Sequence, residues 1–191
     1  MNRNQLKEMK NKGKIVMLLL IASEAFFFMA LIIAYVYYRN FTNATDTVAK
    51  NLDVVKTGIF TLFLIASSFT LIFSKKALLN EKYVLYKILM ATTILFGIVF
   101  IIGQVNEYMG LYKKQITLSQ DIFGSSFFTL TGFHGLHVIL GIIALSILFG
   151  ISFGKLKIVS ISAIQGVDIY WHFVDVVWLF VFYFVYINPL L

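Results

Sequence analysis

Residues 18–39 read LLLIASEAFFFMALIIAYVYYR, an apolar run with a single acid, Glu24, in its middle. A run of this length crosses the hydrocarbon core of a bilayer as a helix, which takes roughly 20 residues at about 1.5 Å each. An ionised carboxylate there costs on the order of several kcal/mol. The stretch therefore sets the fold class and also poses the question of what Glu24 does.

The same kind of run recurs along the chain. The 191 residues are 60% hydrophobic and 13% charged, which excludes an ordinary soluble domain. Spans are expected over 15–38, 57–74, 83–105, 122–153 and 167–187. The runs are continuous, whereas barrel strands would alternate apolar and polar residues, so the expected fold is an all-α bundle of five transmembrane helices. Residues 1–14 form a basic N-terminal segment, and 15–191 a single membrane domain. The first span is longer than a signal-peptide h-region and no small-x-small cleavage site follows, so it is expected to stay in the mature chain. The absence of cysteine excludes disulfides, thiolate metal sites and thiol catalysis.

A net charge of +7 invites a nucleic-acid reading, but the basic residues sit at span ends and not on one groove-facing surface. Eleven fall on the side of the N-terminus: Arg3, Lys7, Lys10, Lys12, Lys14, Lys75, Lys76, Lys82, Lys87, Lys155 and Lys157. Five fall opposite: Arg39, Lys50, Lys56, Lys113 and Lys114. The positive-inside rule then puts the N-terminus in the cytoplasm and the C-terminus outside. Connections are too short and too aperiodic to build an extramembrane core. No internal repeat is evident, so the inverted-repeat signature of many transporters is missing. Tyr35, Tyr37, Tyr38, Tyr83, Tyr108, Tyr112, Tyr170, Trp171 and Tyr186 lie near span ends and are expected to be interfacial anchors.

Four sets of polar residues need a reason to be where they are. Glu24 lies about 14 Å along the first span, too deep to snorkel. It is either a proton-handling carboxylate or a neutral acid that hydrogen-bonds a neighbouring helix. In SSFFTLTGFHGLHVILGIIAL, residues 125–145, His134 and His137 share a face, and Gly132, Gly135 and Gly141 thin the surface around them. This pair makes a poor metal site, because one helix supplies two nitrogens and no carboxylate or thiolate completes the set. In DIYWHFVDVVWLF, residues 168–180, Asp168, His172 and Asp175 form one stripe, with Trp171 and Trp178 on the next. That stripe suits a proton relay, or a paired cluster buried against another helix or subunit, with the structural reading favoured. Gln104 and Glu107 share a face near the end of the third span and are expected to be a solvated helix end.

Two further readings follow from these residues alone. One is a single b-type haem held by His172 with His134 or His137, serving a membrane electron carrier. The other is a proton or ion conductor built round Glu24 and the Asp168 to Asp175 stripe.

SEAFFF (23–28), GQVNEY (103–108), FFTLTGFHGLHVILG (127–141) and YWHFVDVVWLF (170–180) occur in an order and spacing that resemble subunit III of the haem-copper terminal oxidases. IASSFTL (65–71), with Ser67 and Ser68, is a weaker match to the same family. The resemblance runs from about Lys14 to Ile187. It implies an accessory subunit of an oxygen-reducing, proton-translocating complex in a bacterial inner membrane. No redox centre is expected in this chain; haem and copper belong to the partner catalytic subunit I. Further implied are bound phospholipid, sustained turnover of the partner, proton supply toward its uptake pathway, and contacts with the other oxidase subunits. Glu24 occupies the position of the family's intramembrane glutamate. Long family members have seven spans; the first two have no counterpart here, as in the short form of certain bacterial oxidases, so lipid contacts of those two helices are not carried over. The resemblance suggests that Glu24 is protonated and hydrogen-bonded to His134 or His137 between the first and fourth spans.

Overall fold

A chain in hydrocarbon has no water to bond its peptide groups, so apolar runs that must cross it close their hydrogen bonds internally as helices. The structure, a computed structural model, describes residues 3–41, 52–114, 116–117, 122–154 and 161–190, with the backbone alone for 3–14, 123, 161–162 and 190. Its helices are α1 (Arg3–Phe41), α2 (Val54–Leu79), α3 (Tyr83–Lys113), α4 (Ile122–Ile151) and α5 (Ile161–Phe182). A π-helical turn, Tyr183–Ile187, and a 3-10 turn, Asn188–Leu190, continue α5. All regular structure among the described residues is helical, and five helices are long and apolar enough to cross a membrane.

Most of the helices run past the expected spans, although α4 ends at Ile151, short of the expected 153. The α3 helix continues eight residues beyond position 105, α5 begins six before 167, and α1 extends back through the basic segment to Arg3. Apolar patterning marks only the hydrocarbon crossing, while Lys, Leu, Gln and Glu at the flanks are good helix formers that let the ladder continue. Lys50, Lys155 and Lys157, part of the orientation reading, lie outside the described residues.

A tight turn joins α2 to α3. The Lys82 amide donates to the Ala77 carbonyl at 2.9 Å and the Glu81 amide to Leu78 at 3.1 Å, the two bonds of a Schellman stop. The left-handed position falls on Glu81, with φ of 59°, where a glycine would normally sit. This turn makes α2 and α3 the most extensively packed neighbours in the bundle. The α5 helix packs against α2 and α4, α4 also against α3, and α1 lies along α4 and α5.

The packing centres on two indoles of α5. Trp171 is fully buried and pressed between two glycines: a methyl group built on Gly97 of α3 would stand 2.9 Å from its ring, and one on Gly141 of α4 2.7 Å. Its indole N–H donates to Ser67 Oγ of α2 at 3.0 Å, and that of Trp178 to Thr61 Oγ1 at 2.9 Å. Ser67 and Thr61 return their own protons to carbonyls of α2, so each hydroxyl both accepts and donates.

Trp171, Tyr35 and Tyr186 are thus core residues and not interfacial anchors. Nearness to a span end in sequence placed them at the interface, whereas facing another helix is what buries them. Tyr37, Tyr83 and Tyr112 are exposed, compatible with the anchoring role.

The end of α5 is tied to the end of α1. In the π turn the Asn188 amide bonds the carbonyl of Tyr183, five residues back, which leaves Phe184 without its helical donor. Arg39, buried at the C-terminal end of α1, supplies one from Nη1 at 3.2 Å, while its Nη2 donates to Asn188 Oδ1 at 2.6 Å. The wide turn ends just before Pro189, which has no N–H to continue a helical ladder.

Candidate functional site

Three polar groupings lie at the helix seams. On the α1–α4 seam His137 Nε2 is 3.2 Å from Glu24 Oε2. His137 Nδ1 lies 2.7 Å from the carbonyl oxygen of Phe133. A carbonyl only accepts, so Nδ1 carries its hydrogen, and Nε2 meets Glu24 with one proton between them. That proton sits either on the carboxyl, donated to imidazole, or on the ring, donated to carboxylate. Phe28 presents an edge to this imidazole with centroids 5.0 Å apart, and Tyr170 of α5 donates to the His137 carbonyl at 3.1 Å. Glu24 keeps about a third of its side chain accessible.

His134 does not join that pair. Its ring is fully buried, stacked on Trp178 at 4.7 Å and edge-on to Phe100 at 5.8 Å. Neither of its nitrogens has a hydrogen-bond partner among the described residues. One helical turn thus separates a paired imidazole from one held by aromatic packing. The neighbouring glycines explain how α3 approaches: the Gln104 side chain fills the space where Gly135 lacks a Cβ, 2.8 Å from a methyl group built there.

The α2–α5 seam holds the Asp168, His172 and Asp175 stripe. Lys75 Nζ donates to Asp168 Oδ2 at 2.5 Å, and His172 Nε2 lies 3.6 Å from Asp168 Oδ1. His172 Nδ1 is 2.8 Å from Ser68 Oγ, and the Ser68 hydroxyl also bonds Asp175 Oδ2. Both aspartates are buried, and His172 keeps about a third of its side chain accessible. Sequence spacing brought the three α5 residues onto one face; it gave no sign that Lys75, counted there as a topology charge, completes the row.

Gln104 and Glu107 correct the expectation of a solvated helix end. Gln104 is buried, and its Nε2 donates to the Thr131 carbonyl of α4 at 2.6 Å. Glu107 accepts from Thr57 Oγ1 of α2 at 3.0 Å and from Tyr186 Oη at 2.8 Å. The α3 helix continues past both residues and is flanked by α2, α4 and the end of α5, which cover Gln104. Beside Glu107 a cavity of about 170 Å³ opens between α2 and α3, lined in part by Asp53, Lys56, Asn106 and Lys114.

A haem held by His172 and a histidine of α4 does not fit this arrangement. His172 faces α2 and is engaged by Ser68 and Asp168, His137 faces α1 and is engaged by Glu24, and His134 is enclosed by rings. These imidazoles open onto different seams and do not face one another across a shared space, as two axial ligands must.

The family model described as cytochrome c oxidase subunit III matches residues 5–189. Cytochrome c oxidase subunit 3 of Synechocystis sp. is 35% identical over 175 residues, covering 90% of this chain and 73% of that protein. The subunit 3 of Rhipicephalus sanguineus is 34% identical over 196 residues, covering 92% of this chain and 70% of that one. In Corynebacterium diphtheriae the corresponding protein is 37% identical over 139 residues, 72% of this chain and 68% of its own length.

Proposed function

Since the chain belongs to the cytochrome c oxidase subunit III family, we propose that it is the non-catalytic subunit of a bacterial haem-copper oxidase, packed beside the haem- and copper-bearing catalytic subunit. It stabilises that partner through sustained turnover, holds phospholipid and supports proton supply to the uptake side. Its site is the inner membrane, with the basic N-terminal end in the cytoplasm.

The observation that carries this reading is the state of α1. Its inward face is fixed by Glu24 and Arg39, while Ile15, Leu19, Phe26, Ile33 and Phe41 stand exposed along its length. A helix so thinly covered by its own chain presents a long apolar face to lipid and to a neighbouring subunit.

The test is purification of the tagged chain in mild detergent, followed by identification of what accompanies it and an absorption spectrum of the assembly. A co-purifying subunit that carries haem and copper is the expected result. A chain that purifies alone, or that carries its own haem, would overturn it. In the same assembly Glu24→Gln should leave the haem spectrum unchanged and shorten the active lifetime under turnover. A hydrophobic carbodiimide should label Glu24 in the wild type.

A further inference from the structure

The row on the α2–α5 seam carries more information than its distances. The Ser68 hydroxyl has one hydrogen and two neighbours, His172 Nδ1 and Asp175 Oδ2, so it donates to one and accepts from the other. If it donates to Asp175, Nδ1 carries the hydrogen that Ser68 accepts. If it donates to Nδ1, the Asp175 carboxyl carries that hydrogen instead. At the far side of the ring, Nε2 faces Asp168 Oδ1 at 3.6 Å, and this carboxylate is already tied to Lys75. A bare nitrogen lone pair against it would be repulsive, so Nε2 keeps its hydrogen in both arrangements.

We infer that His172, Ser68 and Asp175 form a proton relay that holds one transferable proton between an imidazole and a carboxyl group. In one form His172 is imidazolium and Asp175 carboxylate. The Nδ1–H bond breaks as its proton joins Ser68 Oγ, and the original Ser68 proton passes to Asp175 Oδ2. The products are a neutral imidazole that retains Nε2–H and a neutral carboxylic acid, with Ser68 now donating to Nδ1. No atom moves except hydrogen, and the summed charge of the pair is zero before and after. The Lys75–Asp168 pair is also neutral in sum, so the seam adds no net charge to the membrane interior in either form. Two observations mark the row as built to do this. The second oxygen of Asp175 is buried without a hydrogen-bond partner among the described residues, so nothing else competes for that carboxyl. Asp168 of α5, bonded through its other oxygen to Lys75 of α2, faces the opposite edge of the ring at 3.6 Å. The relay follows from this chain's own geometry, whatever assembly the chain joins.

The test uses the full chain in lipid bilayers, with histidine labelled by nitrogen-15, read by solid-state NMR for ring protonation and by infrared spectroscopy for the carboxylic C=O band. On changing temperature at fixed pH, the His172 imidazolium signal and the Asp175 carboxylic band should move in opposite directions, in equal proportion, and the band should vanish in Asp175→Asn. Ser68→Ala should abolish that correlation and Ser68→Thr restore it. A His172 ring whose protonation is indifferent to temperature and to Ser68→Ala would overturn the relay, as would a carboxylic band that varies independently of the ring. The wild-type temperature series stands even where a variant fails to fold.

Discussion

The guanidinium of Arg39 bonds the carbonyl oxygen of Phe184 at 3.2 Å, an acceptor that the π turn leaves without its usual helical donor. The same side chain reaches Asn188, so one residue of α1 closes the end of α5. A buried cation bonded to two acceptors on another helix is worth more than a surface contact. Arg39→Ala is expected to lower stability by about 2 to 3 kcal/mol, read as an earlier unfolding transition in detergent or bicelles. Arg39→Lys should recover less than half of it, because an ammonium lacks the fork that spans both acceptors.

Close approach around Trp171 is the second vulnerable feature. Gly141→Ala places a methyl group against the indole, at a contact of 2.7 Å, and is expected to cost about 1 to 3 kcal/mol through overpacking. Gly110→Ala serves as the control, since open space surrounds that position and alanine favours the helix by about 0.5 to 1 kcal/mol. Combining Gly141→Ala with Trp171→Phe should be less damaging than the sum of the two, a coupling that a double-mutant cycle measures directly.

At the α2–α3 turn, Glu81 holds a left-handed backbone that costs a residue with a side chain about 1 to 2 kcal/mol. Glu81→Gly should therefore raise the stability of the chain by about 1 kcal/mol, seen as a later thermal transition without change in helix content.

Tyr186 is fully buried and its hydroxyl bonds Glu107. Glu107→Leu would leave that hydroxyl, and that of Thr57, without their acceptor, at an expected cost of about 1 to 3 kcal/mol. Glu107→Gln retains an amide oxygen for one of them and should be the milder change. Equal effects in unfolding measurements would show that these bonds contribute little.

Much of this architecture is legible in the sequence. Uninterrupted apolar runs determine five helices, because hydrocarbon permits little else. Glycines near His134 and His137 announced a close neighbour, and Gln104 and Trp171 are what fill the gaps at Gly135 and Gly141. Identity of partners was harder to read. Lys75 looks like one more basic residue beside Lys76, yet it faces Asp168 93 positions away. Gln104 and Glu107 have the pattern of a helix end because sequence reports the distance to an apolar boundary, not which helices pass beside it. The difference between His134 and His137, three residues apart, rests on which of them meets α1 and which meets Trp178. Such assignments depend on helix order around the bundle, and no local pattern encodes that order.

The way α1 is held has a consequence for how the molecule is made. The α2–α3 hairpin can close as soon as α3 has left the ribosome, since its contacts are local in the chain. The first helix has no such neighbour: its anchors, His137, Phe184 and Asn188, lie 113, 145 and 149 positions beyond the α1 residues they hold. Through most of synthesis α1 must therefore wait in the bilayer undocked, and biogenesis is most exposed to error in the interval before the last helix arrives.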